Sequence, residues 1–535
     1  MSVRPQFFFC RFLSLLVLAF VCCWTSAVYA ASEFGHSDVI GIGNATSANG
    51  SITRSALILE GDVFGGYSQT RAGNAATTGA SVTLTGESVI TGDVFGGSAR
   101  VTADDDVIFI GDVGHVVSTG GVVTLSNSTV TGGTYGSHAV TNQGNATSTG
   151  TVTANDSTAG SVYGAFSDIR FTGAHGTSGI MTASATGIIT LDNTITGNIY
   201  GGYAIANTGN VISSGSVSLS GGSADGDVHG AYAETADGNA TASGFVTLSD
   251  SNIGNDVLGG WAETTTGNAT ATGNSVVISD SNIGGGVGSG FTETTTGNAT
   301  TTKNSIVISD SNVVDYIIGA AAQVYDNGNA SVTDTTLTIS GSTIGDVYGG
   351  WADTLDGTGT ANNNQVTISD STVSGYVMGG YIEHGSGTAD SNQVTISDST
   401  VSGRVYGGYI YSGTADSNQV TISDSSTVSG RVYGGYIYSG TGGTVDNNQV
   451  TISDSSTVSD RVLGGYIYSG TGTVDNNQVT ISDSSTVSDR VYGGYIYIGT
   501  GTVDSNQVTI SGSTVSGRVS GGYIYSGSGT ADSNK

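Results

Sequence analysis

Along most of the chain, apolar positions alternate with Thr, Ser and Asn at a period of two, in runs too short for helices. Val394 and Ile396 alternate with Thr395 and Ser397, and Val401, Gly403 and Val405 alternate with Ser402 and Arg404. β-Branched residues at that period predict strands rather than helices. Clusters of Gly, Asn and Asp between the runs supply the positive φ that sharp corners need. The runs return in a fixed order. Taking the first residue of each GGY-like triplet as a marker, the unit recurs at 65, 96, 136, 164, 201, 230, 259, 289, 319, 349, 379, 407, 434, 464, 493 and 521. The fifteen intervals span 456 residues, a mean period of about 30.

Three short strands per unit, each joined by a turn, fit one coil of a parallel β-helix, so the fold class expected is all-β, a β-solenoid of about sixteen repeats of ~30 residues. Coils that pair at about 4.8 Å would make a rod roughly 75 Å long. The organisation expected is a leader over 1–30, an N-terminal cap over 31–55, divergent repeats over 56–345 and near-identical repeats over 346–535. Near-identity late in the chain points to recent duplication.

Stacking turns equivalent positions into columns. Asn364, Asn392, Asn418, Asn448, Asn477 and Asn506 would form an amide ladder with a structural role. A second column is aromatic. Late units read Tyr409-Ile410-Tyr411, whereas earlier ones read Tyr232-Ala233-Glu234, Trp261-Ala262-Glu263, Phe291-Thr292-Glu293 and Trp351-Ala352-Asp353. The acid must face water and the aromatic two residues before it shares its parity, which predicts an outward aromatic stripe. Its members would be Tyr381, Tyr409, Tyr411, Tyr436, Tyr438, Tyr466, Tyr468, Tyr495, Tyr497, Tyr523 and Tyr525, the candidate binding residues. A glycine bulge that reverses the parity and buries the stack is the competing reading. Arg404, Arg431, Arg461, Arg490 and Arg518 would also stack, offset by Asp460 and Asp489 and by an acidic column of Asp398, Asp424, Asp454 and Asp483.

The first thirty residues change the picture from fold to destination. Arg4 and Arg11 precede and open an apolar run from Phe12 to Trp24, followed by small residues ending in Val28-Tyr29-Ala30. This reads as a secretory signal peptide cut between Ala30 and Ala31. Cys10, Cys22, Cys23 and Pro5, the chain's only cysteines and proline, lie within it, so disulfides and thiolate metal sites are excluded from the mature part. Removing Arg4 and Arg11 leaves 11 basic residues against 43 acidic ones, a net charge of −32 that repels nucleic acid and anionic lipid. The mature part contains no apolar run of membrane-spanning length.

No zinc-protease helix motif, phosphate-binding loop or nucleophile elbow is present. His36, His115, His138, His175, His229 and His384 are scattered and read as solvated loop residues. The Asn-Ala-Thr triplets at Asn44, Asn145, Asn239, Asn268 and Asn298 match a glycosylation acceptor, yet each follows Gly at the same point of the unit and reads as a turn. Neither a catalytic residue, a metal site nor a cofactor is expected. A polysaccharide-cleaving enzyme would need a non-repetitive cleft, for which the irregular stretch from Val101 to Thr131 is the candidate.

The leader, the GDVFGGY, GDVYGGW and RVYGGYIY units and the intervening SVVISDSN or NQVTISDS segments are similar to the passenger regions of autotransporter proteins of Gram-negative bacteria, over nearly all of residues 56 to 535. The resemblance implies a β-solenoid displayed outside the outer membrane, often adhesive, and transfers no functional residues. Such proteins continue into an outer-membrane barrel, whereas this chain stops at Asn534-Lys535, where Gln and another VTIS strand are due. The expectation is a fragment of a longer protein, with an open sheet edge that invites association. Partners would be host or bacterial surface molecules, glycans among them, with self-association as the alternative. Export places the chain at the cell surface if a barrel follows, and outside the cell otherwise.

Overall fold

The computed structural model describes residues 32–40, 44–71, 73–101, 114–170 and 181–535. The leader with Ala30 and Ala31, residues 102–113 of the irregular stretch, and His175 lie outside them. Every regular element among the described residues is a β-strand, and all inter-strand pairings are parallel. The fold is a β-solenoid of about 16 turns. Among the described residues no helix is long and apolar enough to cross a membrane.

Many coils hold the three strands expected, as in Ala146–Asn155, Thr158–Ala159 and Val162–Ile169, whereas in others the first strand is split and four segments result. A long strand, Val257–Thr266, is followed by Ala269–Thr272, then Ser275–Ser279, then the two-residue Asn282–Ile283, before the next long strand Val287–Thr296. The additional segment begins within the Asn-Ala-Thr triplet: Asn268 sits at the corner and Ala269 is buried at the start of the strand. These corner residues form a ladder of their own, in which the Asn268 N–H donates to Asn239 Oδ1 at 2.9 Å and the Asn298 N–H to Asn268 Oδ1 at 3.0 Å. Successive coils stay in register, with Val257 beside Val287, Trp261 beside Phe291 and Glu263 beside Glu293. The expected cap is itself coil-like, since Glu33–Ile40 pairs with Val63–Thr70 and Ala45–Ala48 with Ala75–Thr78.

Two apolar cores run the length of the rod. One is filled by Val and Ile of the QVTIS, TV and VYGG segments, for example Val420, Ile422, Val428 and Val432. The other is filled by the far half of the long strand and the segment that returns from it, first with Ala and later with Ile and Val, as at Ile437 and Val445. Between them the coil narrows to a waist, where the Gly-Gly pair faces the amide ladder. A Cβ at Gly435 would lie 2.6 Å from Ala415 O and 2.7 Å from Asn448 Nδ2, and one at Gly434 2.9 Å from Asn448 Cβ. Only a missing side chain lets the strands approach this closely.

The asparagines predicted to stack do so and are fully buried. Asn448 Oδ1 accepts from Asn418 N and Nδ2, both at 2.9 Å, while Asn448 Nδ2 donates to Asn477 Oδ1 at 2.9 Å and to Ala415 O at 2.8 Å. Both amide groups are satisfied, so burying them avoids the penalty of about 1–3 kcal/mol for an orphaned polar atom. The ladder extends back to Asn274 and Asn304 but breaks at Thr335. At the break, Asn304 Nδ2 and Thr335 Oγ1 are buried without hydrogen-bond partners. Opposite Thr335 the second waist glycine is replaced by Ala320, and in earlier coils Ala165 and Ala231 face Gly187 and Gly244. The waist thus pairs Gly with Asn in the later coils, and Ala, Ser or Gly with Gly in earlier ones, as at Gly202 and Gly215.

Candidate binding surface

The outer side of the waist is concave, and aromatic residues on either side of the Gly-Gly bend meet across it. One column comprises Tyr406, Tyr433, Leu463 and Tyr492, the other Tyr409, Tyr436, Tyr466 and Tyr495. Tyr433 and Tyr436 meet edge to face, with centroids 5.2 Å apart and planes at 86°. Within a column the rings lie flat on one another, as for Tyr406 and Tyr433 at 4.9 Å and 5°. The same corner runs through the earlier coils as Phe64, Phe95, Tyr135, Tyr163 and Tyr200 against Tyr67, His138, Phe166 and Tyr203. Edge-to-face and offset pairs of this kind are worth about 0.5–1.5 kcal/mol beyond area burial.

The predicted stripe therefore divides in two. Ile437 faces the inner core and Tyr436 the other side, as the outward reading requires. Yet Tyr436 and Tyr466 are each only 8% exposed and Tyr495 5%, because the preceding tyrosine column covers them. Tyr381, Tyr409 and Tyr523 pack against the same cluster and are half-buried. The surface row is the other half: Tyr411, Tyr438 and Tyr525 are exposed by 42%, 40% and 59%, with Tyr468 and Tyr497 half-buried between them. Within this row the rings again stack, Tyr438 on Tyr468 at 5.2 Å and 9°, and Tyr497 on Tyr525 at 5.2 Å and 11°. The covering column escaped the sequence reading, although V-[FY]-G-G repeated in unit after unit was the available signal.

Toward the N-terminus the surface row turns acidic. Glu234, Glu263, Glu293, Gln323 and Asp353 occupy successive rungs. Burial, with Glu293 and Glu234 on either side, pushes the Glu263 carboxyl up to about 7. Tyr232 donates to Glu234 Oε2 at 2.9 Å.

The arginine column is offset mainly between coils, with Arg490 Nε also 3.8 Å from Asp489 Oδ1 within its own coil. Arg431 Nε bonds Asp460 Oδ2 of the next coil at 3.1 Å, and Arg461 Nε bonds Asp489 Oδ2 at 3.1 Å. Arg404 and Arg431 also donate to Tyr406 and Tyr433 hydroxyls, at 3.4 and 3.5 Å. The column Asp398, Asp424, Asp454 and Asp483 lies elsewhere, at corners with positive φ, and with Ser425, Ser455 and Ser484 lines a shallow open groove. Of the histidines, His138 and His229 are not solvated: they are 8% and 4% exposed, stacked within the aromatic corner. Burial first, then the charges of Arg100 and Arg170, lowers the His138 pKa to about 3.

The described part of the stretch proposed for an enzymatic cleft is regular. Val116–Ser126 pairs with the coils on both sides, Val116 beside Ala75 and Ala146. What the fold and surface define is a parallel β-solenoid rod with an external aromatic seam and one continuous decorated row. No family model, curated protein or solved structure matches the chain.

Proposed function

We infer that the chain is an exported structural rod that adheres to host or neighbouring cells through its decorated row, in the manner of the autotransporter passengers its repeats resemble. The observation that carries this reading is the surface row Tyr411, Tyr438, Tyr468, Tyr497 and Tyr525. Because the rings stack on each other, their faces are largely covered and a ligand would meet their edges. The edges recur about one coil, roughly 5 Å, apart. Such a row suits a polymer with many hydrogen-bonding groups, a glycan above all, held by many weak contacts whose avidity multiplies along the rod.

The test replaces Tyr411, Tyr438, Tyr468 and Tyr497 together by Ser, leaving the covered tyrosines in place, and measures retention of the rod on glycan arrays and cultured cells. Retention should fall at least tenfold with unchanged circular dichroism; full retention by the folded variant sinks the reading. Sedimentation of the two proteins separates adhesion from self-association, since only the latter changes rod–rod mass.

A further inference from the structure

Several register shifts interrupt the ladder, and one of them brings ionisable side chains together. Ile382 pairs with Ile410 and Ser386 with Ser412, so Glu383, His384 and Gly385 stand against Tyr411 alone. The bulge turns at Gly385, whose φ of 78° belongs to the left-handed region that glycine tolerates. Its effect is to carry His384 off the ladder and back toward the preceding coil, where Nδ1 lies 2.9 Å from Asp353 Oδ1. A carboxylate oxygen of Glu383 completes the group, and the three donor atoms all lie within 4.8 Å of one another. Among the described residues this is the one set of three His, Cys, Asp or Glu donors that converges so closely.

Two carboxylates and one imidazole are more than an ion pair needs. Between Lys303 and Arg404 the sequence carries neither Lys nor Arg. An imidazole with two carboxylates suits a borderline divalent ion such as Zn²⁺, with water at the remaining position, better than Ca²⁺ or Mg²⁺, which take oxygen ligands. We propose that Asp353, Glu383 and His384 bind one divalent transition-metal ion across two adjacent coils. The bound ion clamps the rod where the divergent and near-identical repeats meet.

The test uses the purified mature chain. Calorimetric titration with Zn²⁺ should give one equivalent bound, and Cu²⁺ in its place should show hyperfine coupling to a single imidazole nitrogen by electron paramagnetic resonance. Both signals should be lost in His384→Gln and weakened at least tenfold in Asp353→Asn, while His115→Gln keeps them. Zn²⁺ should raise the Tm of the parent chain and leave that of His384→Gln unchanged, with circular dichroism showing that each variant folds. Absence of Zn²⁺ and Cu²⁺ binding, or binding undiminished in folded His384→Gln, overturns the proposal. So does Ca²⁺ displacing Zn²⁺ at equal concentration.

Discussion

His138 shows how strongly a single position is governed by its neighbours. It lies between aromatic rings, 5.2 Å from Phe95 and 5.1 Å from Phe166, with Ser98 on the rung before it, and there an imidazolium would lose its water. Its pKa in the fold, about 3, lies below the value of an unfolded chain. The unfolded state therefore binds the extra proton first, and the stability this group contributes is complete above about pH 6.5 and is lost as pH falls toward 3. His138→Phe, matching the residue of the next coil, should remove roughly 2 kcal/mol of the difference in unfolding free energy between pH 7.5 and pH 4.5. Denaturant titrations at the two pH values check it. Glu263 runs in the opposite sense. Its raised pKa means that stability present below the usual carboxylate range is lost as pH rises through about 7. Glu263→Gln should accordingly stabilise the rod at pH 8 and change little at pH 4, read from Tm at both.

At the scale of the element, the waist couples two strands that are distant in sequence. Thr335 interrupts the amide ladder, and Ala320 fills the space that the shorter side chain leaves. Thr335→Asn alone should not help, because the longer amide meets the Ala320 methyl. Combined with Ala320→Gly it should satisfy Asn304 Nδ2 and stabilise the rod by about 1–3 kcal/mol. A double-mutant cycle in denaturant measures the coupling, and simple additivity of the two changes would contradict it. The ladder itself was legible in the sequence, because Asn before QVTIS repeats unmistakably. Its hydrogen-bond partners were not, since Ala415 O reaches Asn448 only when the coil has closed.

For the whole molecule, each coil touches chiefly its neighbours, so stability accumulates along the rod and length is adjustable. Val432 and Val462 are register partners. Deleting residues 432–461 should therefore leave a folded rod about 4.8 Å shorter by small-angle scattering. Removing only 432–446, half of that coil, should break the stack and lower the Tm sharply.

What the sequence determined by itself was the part that depends on repetition: strand type, the parallel β-solenoid, the column membership of Asn, Tyr and Arg, and the number of coils. Period-two alternation and a thirty-residue recurrence leave little freedom there, because each coil must offer the next the same face. What the tertiary structure decided was which members of a column reach solvent. Tyr436 and Tyr438 are two residues apart and share one side of the strand, yet one is covered and the other exposed. The difference comes from the Gly-Gly bend, which folds Tyr433 over Tyr436 and leaves Tyr438 beyond its reach. His384 is exposed, as expected of a solvated residue, yet a local bulge carries it to the Asp353 carboxylate of the preceding coil. Local pattern sets the face of a side chain, but only closure of the coil sets its neighbours.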